Sequence, residues 1–246
     1  MSEVPSVTAY WWRDVKNWGD LLSPLLLHRF AHVDVAWADP STADVACVGS
    51  ILGNWIKPSF NGIILGSGKL FADALVPAKA TVLALRGPLT ALGVHGHFVL
   101  GDPGLLADEL LLEPITKTHN LGLVSHWSDH ELATNELYQQ YDPLIIRADI
   151  DPLEVVRQIG SCRRIVSSSL HGLIVADAFN IPRKFSPTAH WAREGGVFKV
   201  RDHNLAVGIP YAVNEMQQAN SSRVADLKSG LWDAFATFGA MIRARM

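Results

Sequence analysis

Three hydroxyl side chains followed by an imidazole, Ser167-Ser168-Ser169-Leu170-His171-Gly172, come directly after the β-branched pair Ile165-Val166 and lead into an apolar helical stretch. A strand that turns into a helix over such a segment leaves the helix's first N–H groups without intrahelical partners, at the positive end of its dipole. The serines add adaptable donors, so Ser168, Ser169 and Leu170 make a good receiver for a phosphate or carboxylate. His171, in the first turn, is placed to exchange a proton with a bound anion. Plain helix capping, with His171 a satisfied interior imidazole, fits the same residues.

Other junctions offer related chemistry. Arg86 ends the apolar run Thr81–Leu85 and is followed by Gly87-Pro88, a tight turn and a proline suited to the first helical position. Its guanidinium can fork a carboxylate or phosphate, or make an ion pair across the domain. In Lys16-Asn17-Trp18-Gly19-Asp20, Gly19 lets the backbone approach a ligand. Asp20 can bind or deprotonate a hydroxyl, or serve as the N-cap of the next helix. Ser125-His126-Trp127-Ser128-Asp129 closes another strand and brings His126 toward the same kind of cleft. Gly66-Ser67-Gly68-Lys69 has neither the Walker spacing nor a third Rossmann glycine, and Gly101-Asp102-Pro103-Gly104 reads as a turn. The pairs His28/His32 and His95/His97 have no third ligand nearby, so no metal site is expected.

These junctions need a scaffold of alternating strands and helices, and the chain supplies one. Strands are expected at Val7–Arg13, Val33–Trp37, Asp44–Ile51, Gly62–Leu65, Thr81–Leu85 and Phe98–Leu100, with a helix over Asp20–Phe30. The rhythm restarts with strands at Leu121–Ser125, Leu144–Arg147 and Arg164–Ser167, and helices at Glu131–Tyr141, Pro152–Ile159 and Leu170–Phe179. Short, nearly continuous apolar strands indicate parallel sheets covered on both faces. The expected architecture is α/β: two Rossmann-like halves, 1–117 and 118–223, with a cleft between them and a closing helix over 224–246. Ligands then belong beyond the carboxyl ends of the strands.

Composition narrows the function. The 246 residues carry a net charge of −3, and basic residues come in pairs such as Arg163-Arg164 and Arg183-Lys184 rather than stripes, which argues against nucleic acid as a partner. Mean hydropathy is +0.15 with eight tryptophans, yet no apolar run approaches the roughly 20 residues of a membrane span. Cys47 and Cys162 lie in separate apolar runs, so a reducing compartment is expected. With no basic, apolar leader at the start, the expectation is a cytoplasmic protein, with the inner membrane face as a further place for it. Trp11, Trp12, Trp18, Trp127 and Trp191 are candidates for stacking on sugar rings, core packing being the ordinary use of the residue.

Taken in order, NWGD (17–20), LGSG (65–68), ALRGPLTALG (84–93), GDPGLLA (101–107), LGLVSHW (121–127) and SSSLHGLIVADAFNIP (167–182) resemble the polysaccharide pyruvyl transferase family. RGPLTA and the SSxHGxIxADAxxxP block are the most specific pieces. The short length, and FKVRD at 198–202, look most like the branch that adds ketal pyruvate to exopolysaccharides of the succinoglycan or xanthan type.

The resemblance implies a compact fold similar to GT-B glycosyltransferases, phosphoenolpyruvate as donor substrate with no cofactor, and a sugar or lipid-linked oligosaccharide as acceptor. It implies donor contacts from Arg86, His171 and a downstream lysine, placed at Lys199 by the FKVRD motif with Lys184 as the substitute. His126, Ser168, Ser169 and Leu170 complete the donor set, and Asn17 and Trp18 face the acceptor. The glutamate that some members carry after their NxGD turn is replaced by Leu21, which passes the base role to Asp20. A nucleotide-sugar glycosyltransferase and a non-catalytic carbohydrate-binding scaffold are the competing readings.

Overall fold

The computed structural model describes residues 4–128, 131–188 and 196–245. Among the described residues, eleven strands form two sheets. The first contains β1 (Ser6–Tyr10), β2 (Asp34–Trp37), β3 (Val45–Ala46), β4 (Ile63–Leu65), β5 (Thr81–Leu85) and β6 (Val99–Leu100), all parallel, in the order β2-β1-β3-β4-β5-β6. The second contains β7 (Gly122–Val124), β8 (Leu144–Ile146), β9 (Ile165–Ser167), β10 (Arg183–Phe185) and β11 (Met216–Gln217), in the order β11-β10-β9-β7-β8; only β11 runs antiparallel. In each sheet the first strand in sequence has its successor on one side and the next strand on the other. That reversal opens a crevice at the carboxyl ends of β1 and β3, and likewise of β7 and β9.

The helices are α1 (Leu22–Leu26), α2 (Glu131–Thr134), α3 (Glu136–Gln139), α4 (Pro152–Gly160), α5 (Leu170–Ala178), α6 (Gly196–Ala206) and α7 (Ser221–Arg243). A π-helical turn, Leu27–Ala31, continues α1, and a 3-10 helix, Pro103–Leu110, leads toward the second sheet. One buried cluster runs through both halves, joining Val7, Leu26 and Leu105 to Val124, Leu173 and Phe235. The outer faces of the sheets have smaller cores of their own, around Tyr10, Ile64 and Leu85 and around Leu123, Tyr138 and Val166. Helix α7 returns to the first half: Phe235 and Trp232 meet Phe30 at 5.8 and 4.6 Å, and Lys228 pairs with Asp108 at 2.6 Å.

Several expectations change here. The strand expected over Asp44–Ile51 pairs only at Val45–Ala46, because Gly49 takes a left-handed φ of 110° and turns the chain into the cleft. The helix expected over Glu131–Tyr141 is two short ones broken at Asn135, whose side chain caps the second by accepting from Leu137 N–H. No helix follows Arg86. Its place is taken by turns, since the Asp202 carboxylate accepts the Leu89 and Thr90 N–H groups and Gly93 reverses the chain at φ 78°. Asp20 is not a helix cap: Leu21 holds that position, without any side-chain cap. The closing helix starts at Ser221 rather than Val224, capped by Asn220.

Candidate functional site

A cavity of about 350 Å³ lies between the two sheets at the carboxyl ends of their strands. Asn17 and Asp20 reach it from the segment after β1, and Ser50, Asn54 and Trp55 from the segment after β3. The second half contributes His126 and Trp127 after β7, then Ser169, Leu170 and His171 after β9, with Lys199 from α6. The crevices at both strand-order reversals therefore open into one space.

His171 is the most constrained of these groups. Its Nε2 is buried and has no hydrogen-bond partner among the described residues. Trp18 packs edge-on against the imidazole at 6.1 Å, and a side chain at Gly19 would collide with the ring. Burial, then the charges of Lys199, Arg86, His126 and His203, push its pKa down to about 3, so the imidazole is neutral. A neutral ring with an orphaned nitrogen, surrounded by positive charge at a helix start, is arranged to meet an anion.

Asp20 shows the opposite shift. Burial lifts its carboxyl to about 7 against the hydrogen bond from Asn17 Nδ2 and the charge of Lys199, with Asp102 adding to the rise. A carboxyl balanced at neutral pH can take or give a proton. His126 shares a 2.6 Å contact between Nδ1 and Ser128 Oγ. Three tryptophans, half-buried, frame the opening: Trp12 lies 6.2 Å from Trp55 and 5.0 Å from Trp127 between ring centres. Among the described residues no three His, Cys, Asp or Glu side chains gather as metal ligands, and no helix is long and apolar enough to cross a membrane.

Residues 59–183, half of the chain, match the family model described as polysaccharide pyruvyl transferase. The chain belongs to the polysaccharide pyruvyl transferase family. It is 30% identical over 213 residues to the succinoglycan biosynthesis protein ExoV of Rhizobium meliloti (strain 1021), covering 82% of this chain and 65% of that protein. It is 28% identical over 191 residues to the uncharacterized protein L143 of Acanthamoeba polyphaga mimivirus, covering 70% of this chain and 64% of that protein. The chain thus spans slightly under two-thirds of the length of each of these relatives.

Within this family member, Asn17, Asp20, His126, Ser169, Leu170, His171 and Lys199 share the cavity. Other expected site residues are placed elsewhere. Arg86 is fully buried behind the wall: its Nε donates to Asp202 Oδ2 at 2.9 Å, Nη1 to Ser50 Oγ and Nη2 to the Lys69 carbonyl at 2.7 Å. The ion-pair use of that arginine holds, and the fork offered to a ligand does not, because the guanidinium has no exposed surface and does not line the cavity. Ser168 is fully buried, and its Oγ accepts the His126 N–H at 2.9 Å, so it holds the β7 end rather than lining the cavity. Trp18 has no exposed surface with which to meet an acceptor; its hydrophobic bulk supports His171 instead. Lys184, the substitute for Lys199, sits over the Tyr138 ring at 4.9 Å beside a separate small cavity. Trp11 packs against the core, while Trp191 and Asp129 lie outside the described residues.

The sequence reasoning missed Ser50, Asn54 and Trp55 at the site and Asp202 behind it. The first three follow a short buried strand, so the same rule that found Asn17 and His171 applies to them. Asp202 closes the FKVRD motif, but its role was not legible there, since its partners are more than 100 residues away in the chain.

Proposed function

We propose that the chain transfers pyruvate from phosphoenolpyruvate to a sugar of a bacterial polysaccharide or its lipid-linked precursor, forming a ketal and releasing phosphate. The observation that carries this reading is the unpartnered, buried Nε2 of His171 beside Lys199 and the α5 N-terminus, in a cavity built from both lobes. Family membership and the two-lobed α/β arrangement support it. The work is done in the cytoplasm, at the inner face of the membrane where the acceptor is lipid-linked.

Phosphoenolpyruvate carries a carboxylate and a phosphate on one carbon. The first N–H groups of α5, with Ser169 and Lys199, hold the anion, while Arg86 adds positive charge from behind Ser50 without direct contact. Bound negative charge reverses the electrostatics around His171, raises its proton affinity and makes it the acid that protonates the donor methylene. Asp20 accepts the proton of the attacking sugar hydroxyl, whose oxygen bonds to the electrophilic central carbon. A second hydroxyl displaces phosphate and closes the ring, and its proton leaves with the phosphate. One hydroxyl proton thus balances the new methyl group and the other the released phosphate.

Thermal-shift measurements with phosphoenolpyruvate and with sugar nucleotides test the donor. Stabilisation by phosphoenolpyruvate alone is expected, followed by an acceptor mass gain equal to pyruvate less water. Stabilisation by a sugar nucleotide alone would overturn the reading in favour of glycosyl transfer.

A further inference from the structure

We infer that Trp12, Trp55 and Trp127 form the acceptor subsite, a pyranose-stacking surface assembled from both lobes at the mouth of the cavity; this rests on the transfer reading above. The rings come from the carboxyl ends of β1, β3 and β7 and touch one another across the lobe boundary, at 6.2 Å between Trp12 and Trp55 and 5.0 Å between Trp12 and Trp127. Trp12 and Trp127 belong to no hydrophobic cluster, Trp55 rests one edge on the core around Tyr10 and Ile64, and all three line the open cavity, half-buried.

Each ring is held before any ligand arrives. Trp12 Nε1 donates to Asp14 Oδ2 at 2.9 Å. Trp55 sits in a tight turn in which its own N–H donates to the Ile51 carbonyl at 3.2 Å and Gly53 N–H donates to the Ile56 carbonyl at 3.0 Å. Trp127 packs on His126 at 5.4 Å. Rigid aromatic faces lose little entropy on binding, which suits a weakly hydrophobic ligand.

The surrounding chemistry selects the ligand class. Flat apolar faces bordered by the amides of Asn17 and Asn54 and the carboxyl of Asp20 match a pyranose, with its C–H faces and a rim of hydroxyls. A ring stacked there has Asp20 at its hydroxyl edge and the His171 end of the cavity beyond. A nucleobase would stack equally well on the tryptophans, and the test below includes it.

The full chain is titrated with methyl β-D-glucopyranoside and methyl β-D-galactopyranoside, following intrinsic tryptophan fluorescence, in wild type and in Trp55→Ala, Trp127→Ala and the double variant. A saturable change with at least one glycoside is expected, with affinity falling roughly three- to tenfold in each single variant and further in the double. Phosphoenolpyruvate should stabilise all four proteins to the same extent, which also shows that the variants fold. The inference is overturned if neither glycoside gives saturation, if the double variant keeps wild-type sugar affinity, or if uridine binds in their place. Failure of phosphoenolpyruvate to stabilise the wild type, with sugar binding intact, would instead overturn the donor assignment and leave the subsite standing.

Discussion

Asp202 of α6 and Arg86 at the end of β5 form a fully buried ion pair at 2.9 Å that fastens the second lobe to the first. The carboxylate also accepts the Leu89 and Thr90 N–H groups at 2.8 and 3.0 Å and the Thr90 hydroxyl at 2.6 Å. Lys199 lies one turn earlier on the same helix face, so this anchor fixes the depth at which its ammonium enters the cavity.

Asp202→Asn should therefore destabilise the fold and weaken donor binding together. Removing one member of a buried pair typically costs about 3–5 kcal/mol, because the remaining charge is left unmatched. Denaturant midpoints check the first effect. Replacing both residues, Arg86→Met with Asp202→Leu, removes the unmatched charge and should recover part of the stability but not the donor affinity, because the Leu89 and Thr90 N–H groups still lose their acceptor. Equal loss in the single and double variants would show that the pair does not act as a unit.

His171 gives a proton-linkage prediction. Its neutral state in the empty site means that donor binding near pH 7.5 should take up close to one proton, seen as a binding enthalpy that varies with the ionisation enthalpy of the buffer. His171→Asn should abolish the variation. The same shift bears on stability. A histidine lowered from its ordinary 6.5 to about 3 contributes stability that is present above pH 6.5 and lost as pH falls toward 3. The asparagine variant should lose less stability across that interval than wild type does.

Parallel sheets, the two-half rhythm and the placing of the hydroxyl-rich start of α5 at the cavity were legible because each is written in local pattern: short apolar strands, Gly and Pro punctuation, hydroxyls before a helix. Burial of the arginine was not. Arg86 ends an apolar strand whether it points into a cleft or behind a wall, and only a carboxylate 116 residues away decides which. Trp18 failed for a related reason: a tryptophan in a Gly-Asp turn looks exposed until the ring is seen against His171. Ser50 was hidden by an overlong strand expectation, Asp44–Ile51, which Gly49 cuts short.

Asp20 should make the protein less stable as pH rises. Its carboxyl, ordinarily at 3.8 and here near 7, holds a proton in the folded state that the unfolded chain releases, so stability present below pH 3.8 is lost as pH rises through 7. Asp20→Asn removes that dependence. Urea unfolding at pH 5 and pH 8.5 should show the variant gaining on wild type at the higher pH, with about 3 kcal/mol as the upper bound, since the dependence runs at roughly 1.4 kcal/mol per pH unit between pH 5 and 7. Turnover should fall by about 10²–10⁴ where Asp20 acts as the general base. An unchanged rate would remove it from that role.

Gly19→Ala tests whether close packing against His171 matters for chemistry or only for folding. A methyl group there overlaps the imidazole ring, which Trp18 and the first turn of α5 leave little room to move. The expected result is a folded but less stable protein, with overpacking costing about 1–3 kcal/mol. Its turnover should fall at least as far as in His171→Asn, because the ring is turned away from the donor. Combining Gly19→Ala with His171→Ala should restore stability by removing the clash, without restoring activity. Full activity in the single variant would mean that the imidazole does not need its present position, and the proton transfer assigned to it would have to come from another group.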